Sequence, residues 1–229
     1  MLLQVILLTI GAYLLGAVPT SYIAGRLLRG IDIRDYGSGT VSGTNVWHSV
    51  ARWAVVPVGI FDILKGFVPV YIAMVMGLTL FDEPVLAQGI VGLAAIAGHN
   101  WPVFLGFSGG RGISTMMGVL VVLAPWELLV FVVIWLLCIA LLRNVPLGAI
   151  IAAVSLPLAS LGFGKPMELT LCLLAIFILF ALKRLLANRG IPLGNWRRVM
   201  VYRLLFDRDM PDRKAWVHRT PSDSEEPPQ

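Results

Sequence analysis

The sequence predicts an all-α protein, a polytopic membrane helix bundle of about seven transmembrane helices. Of its 229 residues, 58% are hydrophobic and 14% are charged, and the mean hydropathy is +0.83. A soluble globular domain has roughly 45–50% apolar and about 25% charged residues, so both departures are large. The charge is also unevenly placed, because ten of the 18 lysines and arginines lie from Lys183 onward. This distribution is typical of a chain that crosses a bilayer several times.

Apolar segments of nearly spanning length follow one another along the chain. A transmembrane helix needs about 20 mostly apolar residues, within a range of about 17–25. The candidate spans, in chain order, are residues 3–24, 53–80, 85–105, 113–125, 126–142, 145–161 and 167–183. The fourth, fifth and sixth are short or closely joined. Six spans, or five spans with re-entrant pieces, are therefore the alternatives to seven.

The charges between these segments favour seven spans. Arginine-bearing loops alternate with acidic or neutral loops: four arginines follow the first span, whereas Asp82 and Glu83 follow the second. Cytoplasmic loops carry an excess of lysine and arginine. The alternation therefore predicts an N-terminus outside the cell and a C-terminus in the cytoplasm, and six spans would break it.

The chain beyond the last span is predicted to form two further parts. Residues 195–206 are basic, and Trp196, Val199 and Met200 recur at helical spacing. We expect an amphipathic helix in the membrane interface, with its arginines near anionic headgroups; a cytoplasmic helix packed on the bundle is the alternative. The predicted parts of the chain are a membrane domain, 1–190, a cytoplasmic basic amphipathic extension, 191–219, and a disordered tail, 220–229.

The first polar segment of interest is GSGTVSGTNV, from Gly37 to Val46. Glycine lets a backbone approach a ligand closely, and successive amides in such a loop can form an anion-binding nest. Hydroxyls and an asparagine add neutral donors, which suits a phosphate group. A flexible polar linker is the alternative, although Trp47 and His48 follow immediately. The candidate phosphate-binding residues of this segment are Gly37, Ser38, Gly39, Thr40, Ser42, Gly43, Thr44 and Asn45.

The second segment is GHNWPVFLGFSGGRGIST, from Gly98 to Thr115. Because an apolar run follows the glycines, we expect a glycine loop at a helix N-terminus, where free amides and the helix dipole bind anions. Arg111 adds a guanidinium that matches phosphate geometry. The GxxxxGK[ST] spacing of a P-loop is missing. Both segments are assigned to the same membrane side, which predicts one shared site. Its candidate residues from this segment are His99, Gly109, Gly110, Arg111 and Gly112.

Three polar residues at or inside predicted spans have two interpretations each. His99 begins the second segment at a membrane boundary, where it is either a base or loop-orienting group, or a satisfied structural histidine. Asp62 and Lys65 lie within the second span, where charges are usually paired or functional. Their i, i+3 spacing puts them on one helix face. An internal ion pair and a direct substrate contact both remain open.

Together these segments resemble the acyl-phosphate-dependent glycerol-3-phosphate acyltransferases of bacteria, the PlsY type. The resemblance runs from Gly16 to about Arg189. The family's first motif is similar to GSGNxGATNV followed by arginine, and its second is similar to GHxxPVFLxFxGGKG. A DxxKG motif lies between them and is matched here by Asp62, Lys65 and Gly66.

The resemblance implies a seven-helix acyltransferase of the cell membrane, with its motifs facing the cytoplasm. The implied reaction, a step of phospholipid biosynthesis, moves a fatty acyl group from acyl phosphate to the 1-hydroxyl of glycerol 3-phosphate, giving lysophosphatidic acid and phosphate. Its partners would be these two substrates and membrane lipids, with no nucleic acid, metal or cofactor. The implied catalytic residues are Ser38, His48 and Arg111, and the supporting residues are Asp62, Lys65 and Arg143.

The chain departs from the family pattern at several positions. Thr40 replaces the first-motif asparagine, His48 the following arginine and Arg111 the second-motif lysine. Pro146 replaces the serine of a third region similar to RYVSLxS, and the last motif, similar to HRxNIxRL, has no histidine here. One alternative is therefore a relative of the same fold that uses another acceptor or is catalytically silent. A transporter or lipid-binding module without chemistry is the other, although no repeated halves are visible.

Overall fold

A computed structural model describes residues 1–188, 196–217 and 219–220. Within these ranges the chain is helical, which confirms the predicted all-α class, and two short 3-10 helices lie at Ile33–Asp35 and Val103–Leu105. The α-helices are α1 Leu2–Ala17, α2 Thr20–Arg29, α3 Gly43–Ser49, α4 Val55–Val75, α5 Pro84–Asn100, α6 Ile113–Leu123, α7 Pro125–Leu142, α8 Val145–Gly162, α9 Met167–Leu186, α10 Trp196–Phe206 and α11 Arg213–Val217.

Five helical stretches of the described chain are long and apolar enough to cross a membrane: α1 with α2, α4, α7, α8 and α9. α5 has 17 residues and α6 has 11. At about 1.5 Å per residue, these helices extend roughly 26 Å and 17 Å, against a hydrocarbon core of about 30 Å. The membrane helix bundle is confirmed, whereas the count of seven spans and the orientation of the termini stay predictions.

The first predicted span, 3–24, is two helices rather than one continuous helix. α1 ends at Ala17 and α2 begins at Thr20. Pro19 lies between them, and proline disfavours helical backbone in the residue before it. Val18 is accordingly extended, with φ −60° and ψ 115°. The break leaves the Val18 carbonyl free to accept a hydrogen bond from Lys65 Nζ.

Small residues bring the central helices into close contact. α1 packs on α5, and α4 packs on α6. A Cβ at Gly66 of α4 would collide with the Thr115 carbonyl of α6, and a Cβ at Gly118 of α6 would collide with the Ile63 carbonyl of α4. Close backbone approach at small residues is a common basis of helix association in lipid. This packing fixes the start of α6 relative to α4.

Apolar side chains fill the interior of the bundle and also cover its outside. Phe131, Leu156 and Ile176 belong to one continuous buried cluster. On the outside of α7, in contrast, Leu137 and Leu141 are 55% and 79% exposed. Large exposed apolar surfaces are unusual on soluble monomers, and they fit a surface that faces lipid.

α10 packs on the bundle, against α8 and α9. Its Arg203 is buried, donates from Nη1 to the Leu185 carbonyl at 3.1 Å and pairs with Asp209. This geometry corresponds to the packed alternative for this helix, and it removes Arg203 from any contact with headgroups. The predicted domain boundary at 190–191 and most of the predicted tail, 221–229, fall outside the described residues, so the division of the chain stays a prediction.

Candidate functional site

The two glycine-rich segments, which we call the first loop (37–46) and the second loop (108–112), lie against each other. The Val41 amide donates to the Gly109 carbonyl at 3.4 Å. The Asn188 side-chain amide bridges both loops, with Nδ2 3.1 Å from the Gly39 carbonyl oxygen and 2.8 Å from that of Gly109. The structure thus brings together two segments that are about 70 residues apart in the sequence.

The first loop carries a chain of three hydroxyl groups. Ser38 Oγ lies 2.7 Å from Thr40 Oγ1, which in turn lies 2.8 Å from Ser42 Oγ. Each hydroxyl has one donor and two acceptor sites, so the chain can present a donor to a ligand by rotating its protons. Thr40, which replaces the family's asparagine, is the buried middle member.

Asn45 holds the first loop in shape through hydrogen bonds to backbone carbonyl groups. Its side-chain Nδ2 lies 2.9–3.0 Å from the carbonyl oxygens of Ile33, Tyr36 and Thr40. Its Oδ1 accepts a hydrogen bond from Ser49 Oγ at 3.1 Å. The residue is 3% exposed, and these internal bonds hold the loop in shape. Its contact with a ligand stays a prediction.

Two glycines of the second loop pack so closely against His99 that no side chain fits at their positions. A Cβ at Gly110 would collide with the His99 imidazole, and a Cβ at Gly109 would collide with the His99 carbonyl. The Gly110 amide donates to that same carbonyl at 3.1 Å. Gly112 has φ +74°, a backbone conformation that glycine adopts without strain, and α6 begins directly after it. The second loop therefore packs directly against His99.

Arg111 lies buried in the second loop and is 6% exposed. Its Nη1 donates to the Lys183 carbonyl at 2.9 Å, and its Nε lies 2.6 Å from Asp207 Oδ1. Arg111 Nε and Asp207 Oδ1 have no well-aligned hydrogen bond within the described chain. Their contact is therefore an ion pair without hydrogen-bond geometry. A guanidinium has five N–H donors, so Arg111 retains donors for a ligand.

Asp62 and Lys65 form an ion pair, which is one of the two interpretations that the sequence left open. Lys65 Nζ lies 2.7 Å from Asp62 Oδ1 and 3.1 Å from Thr20 Oγ1, and it also donates to the Val18 carbonyl. The two charged side chains are 5% and 4% exposed. His99 Nδ1 lies 3.7 Å from the same aspartate oxygen.

A cavity of about 440 Å³ opens beside both loops and the start of α6. That volume lies within the range of about 300–1,000 Å³ that is usual for small-molecule sites. The sequence-predicted residues that line it are Ser38, Thr40, Ser42, Gly43, Thr44, His48, Asp62, His99, Arg111 and Gly112.

The other predicted residues lie outside the lining of this cavity. Lys65 is bonded to Asp62, which does line the cavity, and Arg143 is exposed at the end of α7. The remaining members belong to the two loops but do not line the cavity: Gly37, Gly39, Asn45, Gly109 and Gly110.

Several residues at the site were not predicted from the sequence. Asn144 caps α8 by accepting from the Leu147 amide at 3.2 Å, and it lines the cavity together with Arg184. Asn188 lies in the region of the family's last motif. That motif was the only sequence feature that pointed to a functional residue there. Asp207 lies beyond every recognised motif, so the sequence offered no signal for its contact with Arg111.

The fold and the cavity define a class: an integral membrane helix bundle with a cationic, hydroxyl-lined cavity between two glycine loops. A family model for glycerol-3-phosphate acyltransferase matches residues 6–188. The chain therefore belongs to the glycerol-3-phosphate acyltransferase family, which confirms the resemblance drawn from its motifs.

Individual relatives agree with this assignment. Glycerol-3-phosphate acyltransferase 5 of Dehalococcoides mccartyi is 35% identical over an alignment of 236 positions that covers 100% of this chain and 99% of that protein. The glycerol-3-phosphate acyltransferase of Chlorobaculum parvum is 42% identical over 153 residues, which are 64% of this chain and 66% of that one.

Solved structures of PlsY (YgiH), an integral membrane glycerol 3-phosphate acyltransferase, share the fold. Its glycerol 3-phosphate form matches with a TM-score of 0.72 at 33% identity, over 79% of this chain and 88% of that chain. Its lysophosphatidic acid form matches over the same shares, with a TM-score of 0.70 at 32% identity.

Proposed function

We propose that this membrane acyltransferase moves a fatty acyl group from acyl phosphate to the 1-hydroxyl of glycerol 3-phosphate. A bond forms between the glycerol oxygen and the acyl carbon, and the bond from that carbon to the phosphate oxygen breaks. The products are lysophosphatidic acid and inorganic phosphate, which takes up the hydroxyl proton in the net reaction. The observation that carries the proposal is the cavity in which two glycine loops meet at the buried Arg111.

The choice of substrates has two supports. Family membership supports acyl transfer to glycerol 3-phosphate, because the curated relatives have that name and one similar PlsY structure is of the glycerol 3-phosphate form. The chemistry of the cavity supports acyl phosphate as the donor. An acyl phosphate is already activated, so a site needs mainly to position two phosphate-bearing molecules and to stabilise a developing oxyanion.

Each predicted catalytic residue has a proposed role at this cavity. Arg111 and the free amides at the start of α6 bind a phosphate group, because a guanidinium and a helix N-terminus both favour anions. Ser38, backed by Thr40 and Ser42, donates a hydrogen bond to a substrate oxygen. His48 is exposed at the rim, where it occupies the position of the family's arginine and contacts the acceptor.

We also place the cavity at the cytoplasmic side of the cell membrane. The positive-inside pattern supports this orientation, since arginines dominate the loops that carry the first and second glycine segments. Glycerol 3-phosphate is water-soluble and would enter from the cytoplasm. The acyl chain would lie between helices, against the apolar surface that faces lipid.

The proposal is tested by turnover of purified protein in nanodiscs with palmitoyl phosphate. We expect phosphate release only when glycerol 3-phosphate is present, with one lysophosphatidic acid formed per phosphate, and no release with glycerol as a control acceptor. Folded protein that shows no release dependent on glycerol 3-phosphate contradicts the proposal. Release with another acceptor would establish the divergent-relative alternative, and uptake of a phosphorylated solute into proteoliposomes would establish the transporter alternative.

A further inference from the structure

The C-terminal segment, by which we mean the described residues 196–217 and 219–220, lies beyond the 6–188 range of the family match. It nevertheless forms one wall of the cavity. The residues that it contributes to this wall are Phe206, Asp207, Arg208, Arg213, Trp216 and Val217.

The C-terminal segment contacts both glycine loops. Asp207 Oδ1 lies 2.6 Å from Nε of Arg111 in the second loop. At the other end of the segment, the Arg219 carbonyl accepts a hydrogen bond from the Gly37 amide of the first loop at 2.8 Å. The segment therefore spans the site and touches its principal cation.

Buried polar contacts fix the C-terminal segment on the bundle. Arg184 Nη1 of α9 donates to the Leu204 carbonyl of α10 at 2.9 Å, and Arg203 Nη1 of α10 donates to the Leu185 carbonyl of α9 at 3.1 Å. Arg203 also pairs with Asp209 at 2.6 Å. These reciprocal bonds hold the segment in a defined position against α9.

Besides Arg111, three residues of the cavity wall have a buried donor atom without a hydrogen-bond partner among the described residues. These atoms are Trp216 Nε1, Arg184 Nε and Arg208 Nε. Trp216 is 6% exposed and Arg184 is 1% exposed. Buried polar groups are normally hydrogen-bonded, so each such atom calls for a partner. All three are N–H donors, and the residues that carry them line the same cavity as Arg111. A ligand that satisfies them carries several acceptor oxygens and negative charge, as a phosphate group does.

We propose that the C-terminal segment is part of the substrate site, and that Trp216 Nε1 donates a hydrogen bond to the phosphate group held by Arg111. The identity of the phosphate-bearing ligand rests on the proposed function. That phosphate belongs either to glycerol 3-phosphate or to acyl phosphate, which share this chemistry. Trp216 is a binding residue and takes part in no covalent step.

The kinetic test uses Trp216→Phe, which removes the N–H and keeps an aromatic ring. Trp196→Phe is the matched control, because Trp196 belongs to the same segment and is 57% exposed. We expect Trp216→Phe to lower kcat/KM for one substrate by about tenfold, as for the loss of one hydrogen bond to a charged group. The substrate whose kcat/KM falls is the one whose phosphate group Trp216 contacts. An unchanged kcat/KM for both substrates, or an equal fall for both with a lower melting temperature, overturns the proposal.

A binding test separates this inference from the proposed function. A ligand that binds only the folded protein raises its melting temperature. We expect inorganic phosphate and glycerol 3-phosphate to raise the melting temperature of the wild type. At least one of these ligands should raise the melting temperature of Trp216→Phe by less. If the wild type makes no lysophosphatidic acid but this difference appears, the inference stands and the proposed function fails. If the wild type is active and Trp216→Phe matches it in both tests, the inference alone fails.

Discussion

Several buried cations lie near the site, and two of them, Lys65 of α4 and Arg111 of the second loop, have different surroundings. An ammonium has three N–H donors. Those of Lys65 match three acceptors: the Asp62 carboxylate, the Thr20 hydroxyl and the Val18 carbonyl. Within the part of the chain that the structure describes, Arg111, with five donors, has one hydrogen bond to a carbonyl and one ion pair of poor alignment.

This difference indicates two uses of buried positive charge in one chain, namely joining helices and presenting donors to a cavity. Lys65 is neutralised inside the bundle and joins α4 to the break between α1 and α2. Arg111 keeps donors available in the wall of a cavity. We therefore propose that Lys65 stabilises the bundle and that Arg111 binds phosphate, since charge inside a membrane protein is usually either paired or functional.

The largest expected effect is on stability, from Lys65→Met. This change leaves the buried Asp62 carboxylate without its cation, which costs about 3–5 kcal/mol in the free energy of unfolding. Denaturant unfolding of purified protein in detergent measures the loss. The double variant Asp62→Asn with Lys65→Met removes both charges, and we expect it to recover more than half of that loss. A single variant as stable as the wild type would contradict the structural role of Lys65.

The next effect is kinetic, from Arg111→Ala. Loss of one charged hydrogen bond weakens transition-state binding by about 1.5–3 kcal/mol, so kcat/KM for the phosphate-bearing substrate should fall roughly 10- to 150-fold. Rates at limiting acyl phosphate and at limiting glycerol 3-phosphate measure it. Arg111→Lys restores the family residue and its charge, and should recover part of the loss. Unchanged rates at both limits would exclude the second loop as a phosphate site.

A smaller effect is expected from Gly110→Ala in the second loop. The added methyl group would collide with the His99 imidazole, and overpacking of this kind costs about 1–3 kcal/mol. Both the melting temperature and kcat/KM should decrease, because His99 and Arg111 are held by the same loop. Gly11→Ala is the matched control, since no atom lies within 4 Å of a Cβ at Gly11. If both variants behave alike, close packing does not explain Gly110.

The smallest effect is expected at Asp32 and Arg34, an ion pair close to the first loop. A hydrogen bond from the Arg34 guanidinium lowers the pKa of the Asp32 carboxyl below its ordinary value of 3.8. The pair is partly exposed, so its contribution is about 1 kcal/mol or less. A lowered pKa means that this stability is present above about pH 4 and is lost as the pH falls further. Melting temperatures of wild type and Asp32→Asn should therefore differ at pH 7, and the difference should shrink as the pH falls below about 4.

The sequence predicted the membrane bundle and both loops because hydropathy and glycine spacing are local properties. It also placed Arg111 at a helix start, since an apolar run follows Gly112. It did not predict that Asn45 would hold the first loop by internal bonds, because those bonds depend on the folded path of residues 33–40. Nor did it predict the contact of Asp207 with Arg111, which joins residues about 100 positions apart and leaves no local pattern.

The most direct test is the rise in melting temperature that glycerol 3-phosphate or a non-hydrolysable acyl phosphate analogue produces in the wild type and in Arg111→Ala. Such a rise reports binding to the folded protein and needs no turnover. We predict that at least one of these ligands raises the wild-type melting temperature and leaves that of Arg111→Ala nearly unchanged. Equal rises in the two proteins for both ligands would contradict the assignment of Arg111 to phosphate binding.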